Sequence, residues 1–382
     1  MQKNYLENHL KPYAAKSNNT KGRIYHEIQS SIRSPYQRDR DRIIHSSSFR
    51  RLKHKTQVFV NTVGDHYRTR LTHSMEVAQI ARTLARVLRL NEDLSETLSL
   101  SHDLGHPPFG HAGEEVLNKC MLKYGGFDHN IQTIRIVTHL ENKYYNFFGL
   151  NLTTETLDGL FKHNGPIKNL TKYKKILKKD VFLSKINFMK YPSLEAQVAS
   201  ISDDIAYNNH DLEDGLRANL FSISTLEQIP SIKNLIQKHE KNLKKHRREI
   251  IINQIVRELI NLMVVDVINN TEKNIKKFKP ITINDIYNHN QLIVDFSPKM
   301  KKVDKQIKSF LNKNMYNHKK VKTNTNKAKK IIKGLFEYLL KNPKNYINIL
   351  ALEKKQKERS IADFISGMTD RYAINLYNKK IK

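Results

Sequence analysis

The sequence predicts an all-α protein. Glycine and proline are sparse, at 13 and 10 of 382 residues, so few positions interrupt regular structure. The longer segments between them repeat apolar residues at spacings of three and four, which is the period of an amphipathic helix and not of a strand. The chain shows no internal repeat, and its length allows one large domain or two. We therefore expect a helical core extended by a further helical region towards the C-terminus.

The first well-marked helix is predicted over residues 72–90. Its apolar positions form a single stripe made of Val77, Ile80, Ala81, Leu84, Val87 and Leu88. Thr72 is the predicted N-cap, because threonine hydroxyls accept hydrogen bonds from free backbone N–H groups at helix starts. This places His73 at the beginning of the helix.

A second helix is predicted from about Asn91 to Asp103. Its apolar contacts come from Leu94, Leu98 and Leu100. Gly105 and the pair Pro107-Pro108 end it, since neither residue type continues a helix well. His102 therefore lies in the last turn beside Asp103.

The loop that follows this helix is predicted to carry His106 and His111. A third helix is predicted from Pro192 to Leu216. On it Asp203, Tyr207 and Asp211 are spaced four residues apart and so share one face.

The domain organisation is predicted in three parts. Residues 1–45 form a basic N-terminal segment, 46–225 the helical core and 226–382 a Lys-rich helical region that completes the fold. Within the core, residues 142–190 have mixed character and are predicted to be an excursion from it. The C-terminal helical pattern resumes near Pro230 and is predicted to be interrupted by a polar, basic stretch around residues 313–330.

The formal net charge of +30 is extreme. It either favours polyanionic partners, among them single-stranded DNA or another nucleic acid, or reflects a general abundance of solvated lysine. The single cysteine, Cys120, excludes an intramolecular disulfide and fits a reducing compartment. No long apolar run or signal-peptide core is present, so we expect a cytoplasmic protein without a membrane partner.

Two histidines and two carboxylates stand out as metal ligands: His73, His102, Asp103 and Asp203. Packing of three helices can bring them to one point, as in other helical metal sites. A mixed nitrogen and oxygen set suits Mn, Fe, Ni, Zn or Mg and leaves coordination positions open for water and a phosphate oxygen.

Six motifs identify a family. They are FRRLKHKTQVF, RTRLTHSMEVAQIAR, HDLGHPPFGHAGEE, FDHNIQT, DDIAYNNHDLEDGL and GMTDRYA. Together they resemble the HD-domain phosphohydrolases, and within them the deoxyguanosine triphosphate triphosphohydrolase family. The motifs extend from Phe49 to Ala373, but they are dense only up to about Ala218.

The resemblance implies that His73, His102, Asp103 and Asp203 are the four metal ligands. We choose Asp203 over the adjacent aspartate, because Asp203 has a tyrosine and an aspartate stacked above it in the family's spacing. The expected ion is Mn or Mg, with Fe, Ni, Zn and Co as further candidates.

The resemblance also implies the groups that handle protons. His111 with Glu114 looks like the proton-handling pair, since a carboxylate fixes the tautomer of a histidine and stabilises its cation. His129 matches a histidine near the phosphate. His106 has no firm role in the family pattern, so it is either part of this group or a bystander that caps the helix end.

Substrate contacts follow from the same likeness. Arg70 matches an arginine that contacts the triphosphate, and Gln57 matches a glutamine that binds the sugar 3'-hydroxyl. Tyr207 and Asp211 match a sugar-facing pair, whose ring leaves no space for a 2'-hydroxyl. Arg371 and Tyr372 either close the pocket or serve ordinary helix packing.

The predicted reaction is metal-dependent hydrolysis of deoxynucleoside triphosphates to deoxynucleoside and inorganic triphosphate, by a homo-oligomer such as a hexamer. One alternative is an HD phosphohydrolase that acts on another nucleotide phosphate. Another is a basic nucleic-acid-binding protein with a secondary hydrolase site. The sequence leaves the preferred base open.

Overall fold

The computed structural model describes residues 7–57, 68–177, 181–243, 245–347 and 356–382. Parts of the sequence predictions lie outside the described residues: positions 1–6 of the N-terminal segment, positions 58–67 of the core, which include Val58 and Phe59 of the FRRLKHKTQVF motif, positions 178–180 of the predicted excursion, and positions 244 and 348–355 of the C-terminal region. The described residues form 16 α-helices, two isolated β-bridges and no strand, which confirms the all-α fold. Within these ranges no helix combines the length and the apolarity needed to cross a bilayer.

The helices are α1 (Pro35–Ile44), α2 (Ser47–Arg51), α3 (Arg70–Val87), α4 (Glu92–Ser101), α5 (Gly110–Met121), α6 (His129–Arg135), α7 (Thr154–Phe161), α8 (Thr171–Leu177), α9 (Leu194–Arg217), α10 (Lys233–Leu243), α11 (Arg248–Phe278), α12 (Ile283–Asn288), α13 (Pro298–Leu311), α14 (Lys319–Lys341), α15 (Lys357–Ser366) and α16 (Asp370–Lys380).

Helices α3, α4 and α9 pack against one another and form the centre of the molecule. Helix α1 lies on α4, α11 lies on α9, and α5 packs against α14. One apolar core lies mainly between α3, α9, α11 and α13, and a second lies beneath α1, α4 and α7. A third joins α5 to the C-terminal helices α14, α15 and α16. The C-terminal region is thereby packed onto the element that follows the HDLGHPP segment. The predicted boundaries after residues 45 and 225 stay a prediction.

Helix α3 begins earlier than the sequence predicted. Its N-cap is Thr69, whose hydroxyl accepts from the Thr72 N–H, while the Thr72 hydroxyl accepts from the Thr69 N–H in return. The expectation that Thr72 caps this helix was wrong, because the reciprocal bonds of a capping box satisfy two free donors instead of one. His73 still lies in the first turn. The helix ends at Val87, shortly before Arg89 takes a left-handed backbone conformation at φ +54°.

Helices α4 and α9 lie close to where the sequence predicted them. The Asn91 side chain caps α4 by accepting from the Leu94 N–H, and His102 is the residue at its C-terminal end. Ser193 caps α9, which is 24 residues long. One expectation nearby was wrong, because His111 is not on a loop. It is the second residue of α5, which starts at Gly110, two residues after Pro108.

In the predicted excursion, Leu150, Leu157 and Phe161 are buried in the second apolar core, and the excursion itself stays a prediction. One other segment differs from what the sequence predicted. The polar, basic stretch at 313–330 does not interrupt the helical pattern for long. Helix α14 begins at Lys319 and continues through it, with Val321 and Ala328 buried beneath a solvated lysine-rich face.

Candidate active site

Three structural elements bring three of the four predicted metal ligands within 4.8 Å of one another, and the fourth, Asp103, lies beside His102. His73 comes from the first turn of α3, His102 and Asp103 from the end of α4, and Asp203 from the middle of α9. Oδ1 of Asp203 lies 3.0 Å from Nε2 of His73 and 3.5 Å from Nε2 of His102. Oδ1 of Asp103 lies 3.5 Å from Nε2 of His102. His73, His102 and Asp203 each offer one ligand atom within 4.8 Å of the others.

The protonation of His102 suits it to bind a metal. Its Nδ1 lies 2.6 Å from the carbonyl oxygen of Ser99, which can only accept, so Nδ1 carries the hydrogen. Its Nε2 is buried and has no hydrogen-bond partner. A buried imidazole nitrogen without a partner, facing two carboxylates, is a fitting ligand for a divalent cation.

The electrostatics of this group also favour a cation. Burial lowers the pKa of His102, but Asp103 and Asp203 outweigh burial and raise it to about 9. Burial raises the pKa of Asp203, whereas His102, His163 and His73 lower it, and the net result lies well below the usual range. Without a metal, a proton on His102 balances these carboxylates. A bound divalent ion would displace that proton.

Asp103 also has a buried cationic partner. Nη1 of Arg70 donates to Oδ2 of Asp103 at 2.8 Å, and the two side chains are 2% and 5% exposed. Burial raises the pKa of Asp103, but Arg70 and two neighbouring histidines overcome this and hold it well below the usual range. One of these is His106, whose Nδ1 lies 2.9 Å from Oδ1 of Asp103. Asp103 is therefore an ionised carboxylate whose Oδ2 has a cationic partner.

Gly110 allows this arginine its position. Its φ of +55° is in the left-handed region, and a Cβ built on it would lie 2.7 Å from Nη2 of Arg70. A side chain at Gly110 would force the guanidinium to move. The glycine of the HPPFGHAG segment is thus needed both for its backbone angle and for the close approach of Arg70.

A second polar group lies next to the first and consists of His106, His111, Glu114 and His129. Each offers one atom within 4.8 Å of the others. Glu114 accepts from the backbone N–H of His129 at 2.9 Å, lies 2.8 Å from Nδ1 of His129 and lies 3.3 Å from Nδ1 of His111. Burial raises the pKa of Glu114, but its hydrogen bonds to His111 and His129 lower the pKa by more than burial raises it. The carboxylate is therefore ionised.

His106 is the buried member of this second group. It is 3% exposed, and its ring stacks on that of His129 with centroids 3.9 Å apart. Burial, Arg70 and His129 hold its pKa well below the usual value, so the ring is neutral. The sequence left its role open, and the structure places it between Asp103 and the Glu114 group.

The predicted sugar contacts lie on one face of α9. Tyr207 and Asp211 are joined there by Tyr316, whose hydroxyl donates to the Asp211 carboxylate and lies 2.9 Å from the Tyr207 hydroxyl. Burial raises the pKa of Asp211 to about 7. Gln57 has a buried side-chain oxygen without a partner among the described residues. Tyr316 was missed by the sequence reasoning, because the short NMY segment that carries it shows no recognisable pattern.

Two histidines near the metal ligands were also missed. Nε2 of His163 lies 3.4 Å from Oδ2 of Asp203, and its ring stacks on His102 with centroids 5.3 Å apart. Nothing in the local sequence of His163 indicates this position. His210 contacts His73, with the two Nδ1 atoms 3.1 Å apart. Its spacing of seven residues from Asp203 could have revealed it, since that is two helical turns on the same face.

Asp204, the aspartate not chosen as a ligand, points elsewhere. Its side chain is 44% exposed and forms a 2.8 Å ion pair with Lys308 on α13. The two adjacent aspartates therefore differ in orientation, because successive residues of a helix lie about 100° apart around its axis. Only Asp203 lies beside the two histidines.

The C-terminal helices are bonded to the segments that carry the site. Asp370, the first residue of α16, accepts from the backbone N–H groups of Thr56 at 2.9 Å and Phe109 at 3.0 Å. Nζ of Lys55 donates to the carbonyl oxygens of His106 and Ser366, each at 2.7 Å. These bonds hold the loop before α5 against the C-terminal region.

Arg371 and Tyr372 follow Asp370 in the first turn of α16. Arg371 is exposed, and Tyr372 is 45% exposed. Tyr372 lines a cavity of about 440 Å³ together with Arg51 and Phe364. The structure does not bring these two residues to the metal ligands within the chain, and their part in closing a nucleotide pocket stays a prediction.

Comparison with known proteins gives matches over nearly the whole chain. The HD domain family model matches residues 70–208, and the phosphohydrolase-associated domain model matches residues 294–379. A deoxyguanosinetriphosphate triphosphohydrolase-like protein of Pelagibacter ubique is 57% identical over 362 residues, which cover 95% of this chain and 97% of that protein. Proteins of the same description from Bartonella henselae and Parvibaculum lavamentivorans are 49% and 45% identical, covering 96% and 95% of this chain and 94% of each relative. The HD match contains all four predicted metal ligands.

Proposed function

Since the chain belongs to the deoxyguanosinetriphosphate triphosphohydrolase-like family of HD-domain proteins, we propose that it hydrolyses deoxynucleoside triphosphates to deoxynucleoside and inorganic triphosphate. One observation carries the proposal. His73 on α3, His102 at the end of α4 and Asp203 on α9 offer ligand atoms within 4.8 Å of one another, Asp103 lies 3.5 Å from His102, and Nε2 of His102 is buried without a partner. Beside that point lie an arginine for phosphate and a tyrosine and aspartate for a sugar.

His73, His102, Asp103 and Asp203 are the residues that would hold the metal. Mn or Mg is the ion we propose, with Fe, Ni, Zn and Co as alternatives for the same nitrogen and oxygen donors. Such an ion would supply Lewis acidity to polarise the phosphoryl group and would activate water for the attack. The side chains around it determine what is bound and where protons move.

Proton transfer is assigned to the group around Glu114. The 5'-oxygen of the leaving deoxynucleoside needs a proton, and a histidine held by an ionised carboxylate can give one. His111 is that histidine, because it is exposed and lies next to Glu114. His129, held by the same carboxylate, contributes a polar contact to the phosphates. The buried, neutral ring of His106 stacks beneath it and keeps its plane in place.

Arg70 and the α9 face select the substrate. Arg70 donates one N–H to Asp103 and has an unpaired Nε, so part of its donor set is free for the triphosphate. Gln57 supplies a carbonyl oxygen for the sugar 3'-hydroxyl. The Tyr207 ring, held by the hydroxyl contact to Tyr316, packs beneath the deoxyribose and excludes a 2'-hydroxyl.

The reaction is tested with purified protein and each of the four dNTPs, alone and mixed, in the presence of Mn. Chromatography resolves nucleoside and inorganic triphosphate from nucleotide products. We expect equal amounts of deoxynucleoside and triphosphate, and loss of both with Asp103→Ala. Release of monophosphate or diphosphate instead would favour an HD phosphohydrolase of another specificity. No triphosphate from any dNTP would rule out the proposal.

The metal set is tested by a matched pair of substitutions on α9. Asp203→Asn is expected to abolish tight Mn binding, because it removes an anionic ligand. Asp204→Asn changes the adjacent residue in the same way but affects only an exposed ion pair with Lys308, so Mn binding should be kept. Equal losses in both variants would contradict the ligand assignment.

A further inference from the structure

His73 is held by a second histidine on its far side. Nδ1 of His73 and Nδ1 of His210 lie 3.1 Å apart, and the two residues are 1% and 2% exposed. The rings meet edge to face, with centroids 5.3 Å apart. Two imidazole nitrogens at this distance form a hydrogen bond only if one carries a hydrogen and the other does not. The contact therefore requires a definite tautomer of each ring.

Glu76 lies on the other side of the His210 ring. Its Oε2 lies 3.2 Å from Nε2 of His210, and an ionised carboxylate can only accept. This position favours the tautomer of His210 that carries its hydrogen on Nε2. Arg68 holds the same carboxylate by donating from Nε to Oε2 at 2.9 Å. In this tautomer Nδ1 of His210 is an acceptor for a hydrogen on Nδ1 of His73.

The tautomer of His210 affects the proposed metal ligand His73. When Nδ1 of His210 accepts, Nδ1 of His73 donates, and Nε2 of His73 is left with its lone pair. That lone pair faces Oδ1 of Asp203 at 3.0 Å. Two acceptors at this distance repel each other unless a proton or a metal ion lies between them. This tautomer of His73 therefore suits a metal ion at the point where the proposed metal binds.

We infer that His210 is a positioning residue that sets the tautomer and the ring orientation of His73, so that Nε2 of His73 is the atom presented to the metal. The inference deepens the proposed function and rests on it. His102 has an equivalent arrangement with the Ser99 carbonyl, but the partner of His73 is another side chain and can be substituted. We name the connected residues the His73–His210–Glu76 chain.

The geometry of α9 explains how one helix carries both a proposed metal ligand and the residue that positions another ligand. Asp203 and His210 are seven residues apart, so both lie on the face of α9 that packs against α3. Glu76 is one turn along α3 from His73 and lies near the same face of α9. Arg68 further ties Glu76 to Glu213 and Asp214 on α9, and its Nη1 lies 3.1 Å from Oδ1 of Asp214. The His73–His210–Glu76 chain therefore bridges the two helices that supply metal ligands.

The test measures Mn binding without any nucleotide, using the electron paramagnetic resonance signal of free Mn. His210→Leu removes the acceptor from His73, and we expect the dissociation constant to rise about 10- to 100-fold, as for other residues that support a metal ligand. His210→Asn keeps an oxygen acceptor near the Nδ1 position. We expect its dissociation constant to return to within about threefold of the wild-type value.

His239 provides the matched control. It is also a buried histidine paired with a glutamate, with Nε2 3.1 Å from Oε1 of Glu258, but its helix, α10, carries none of the ligands. His239→Leu makes the same chemical change and should leave Mn binding unaltered. Wild-type affinity in His210→Leu, an equal loss in His239→Leu, or no recovery in His210→Asn would each overturn the inference.

A second measurement does not depend on the variants folding. Long-range nitrogen–proton NMR spectra of histidine-labelled wild-type protein distinguish the two tautomers of each ring. With Zn bound, we expect hydrogen on Nδ1 of His73 and on Nε2 of His210, and the opposite tautomer of either ring would overturn the inference. His73→Ala separates this inference from the proposed function. If that variant still binds Mn tightly, the proposed site itself fails, whereas loss in His73→Ala with none in His210→Leu rejects only the His73–His210–Glu76 chain.

Discussion

Arg70 and Asp103 form a buried ion pair in which Nη1 lies 2.8 Å from Oδ2. The pair joins the first residue of α3 to the residue just beyond α4, and it connects the proposed phosphate contact with a proposed metal ligand. Asp103 therefore has a cationic partner whether or not a metal is bound. The arrangement leads to predictions about stability as well as activity.

Arg70→Met should destabilise the metal-free protein by about 3–5 kcal/mol, because it leaves a buried carboxylate without its cation. Added Mn should restore part of this loss, since the ion supplies positive charge next to Asp103. Urea unfolding with and without Mn measures both effects. Arg40→Met is the control, because Arg40 is 25% exposed and its pair with Asp93 is worth about 1 kcal/mol or less. A destabilisation of only about 1 kcal/mol or less in Arg70→Met would contradict this prediction.

Gly110→Ala should lower the rate of dNTP hydrolysis by more than its loss of stability can explain. A Cβ at this position lies 2.7 Å from Nη2 of Arg70 and forces the guanidinium away from the phosphates. Gly165→Ala is the matched control, because Gly165 also has positive φ, at +90°, but open space around its Cβ position. Both variants should lose about 1–2 kcal/mol of stability from backbone strain. Only Gly110→Ala should lose activity, by about tenfold or more for a displaced phosphate contact.

Lys55 should make the protein more stable as the pH rises above neutrality. Burial, with a smaller contribution from Arg51, lowers its pKa from 10.5 to about 7. Below pH 7 this lysine is protonated in both the folded and the unfolded chain. Between pH 7 and 10.5 only the unfolded chain keeps the proton, so the free energy of unfolding rises by about 1.4 kcal/mol per pH unit from this group.

Chemical unfolding of the wild type and Lys55→Met between pH 7 and 9 checks this dependence. The difference in stability between the two should increase with pH in favour of the wild type. Lys53→Met replaces an exposed lysine two residues away and should follow the wild-type curve. A constant difference between wild type and Lys55→Met across this range would show that Lys55 does not titrate there.

Tyr207→Ala should weaken discrimination against ribonucleoside triphosphates. The ring is held against Asp211 through the hydroxyl contact to Tyr316, and its removal opens space for a 2'-hydroxyl. We expect the ratio of kcat/KM for dNTP over rNTP to fall about tenfold or more, the range of a steric contact in a pocket. Tyr207→Phe keeps the ring and should keep the ratio. Unchanged selectivity in the alanine variant would remove Tyr207 from the sugar site.

Much of the site could be predicted from local pattern, because the ligands lie on regular helices. The apolar stripe of α3, together with Gly105 and the prolines after α4, locates His73 and His102 near helix ends, and the four-residue spacing along α9 assigns Asp203 to one face. Helical periodicity repeats within a few residues, so it can be read without any knowledge of distant contacts.

The partners of these residues depend on packing between helices. His163, Tyr316 and His210 reach the site from segments whose local sequences carry no such signal, or only a weak one. The sequence by itself determined the helical class, the family and the residues proposed to hold the metal. Only the tertiary structure decided that His210 lies between His73 and Glu76, and that Asp370 and Lys55 hold the loop before α5. These contacts join residues far apart in the chain, and their existence depends on how helices approach one another.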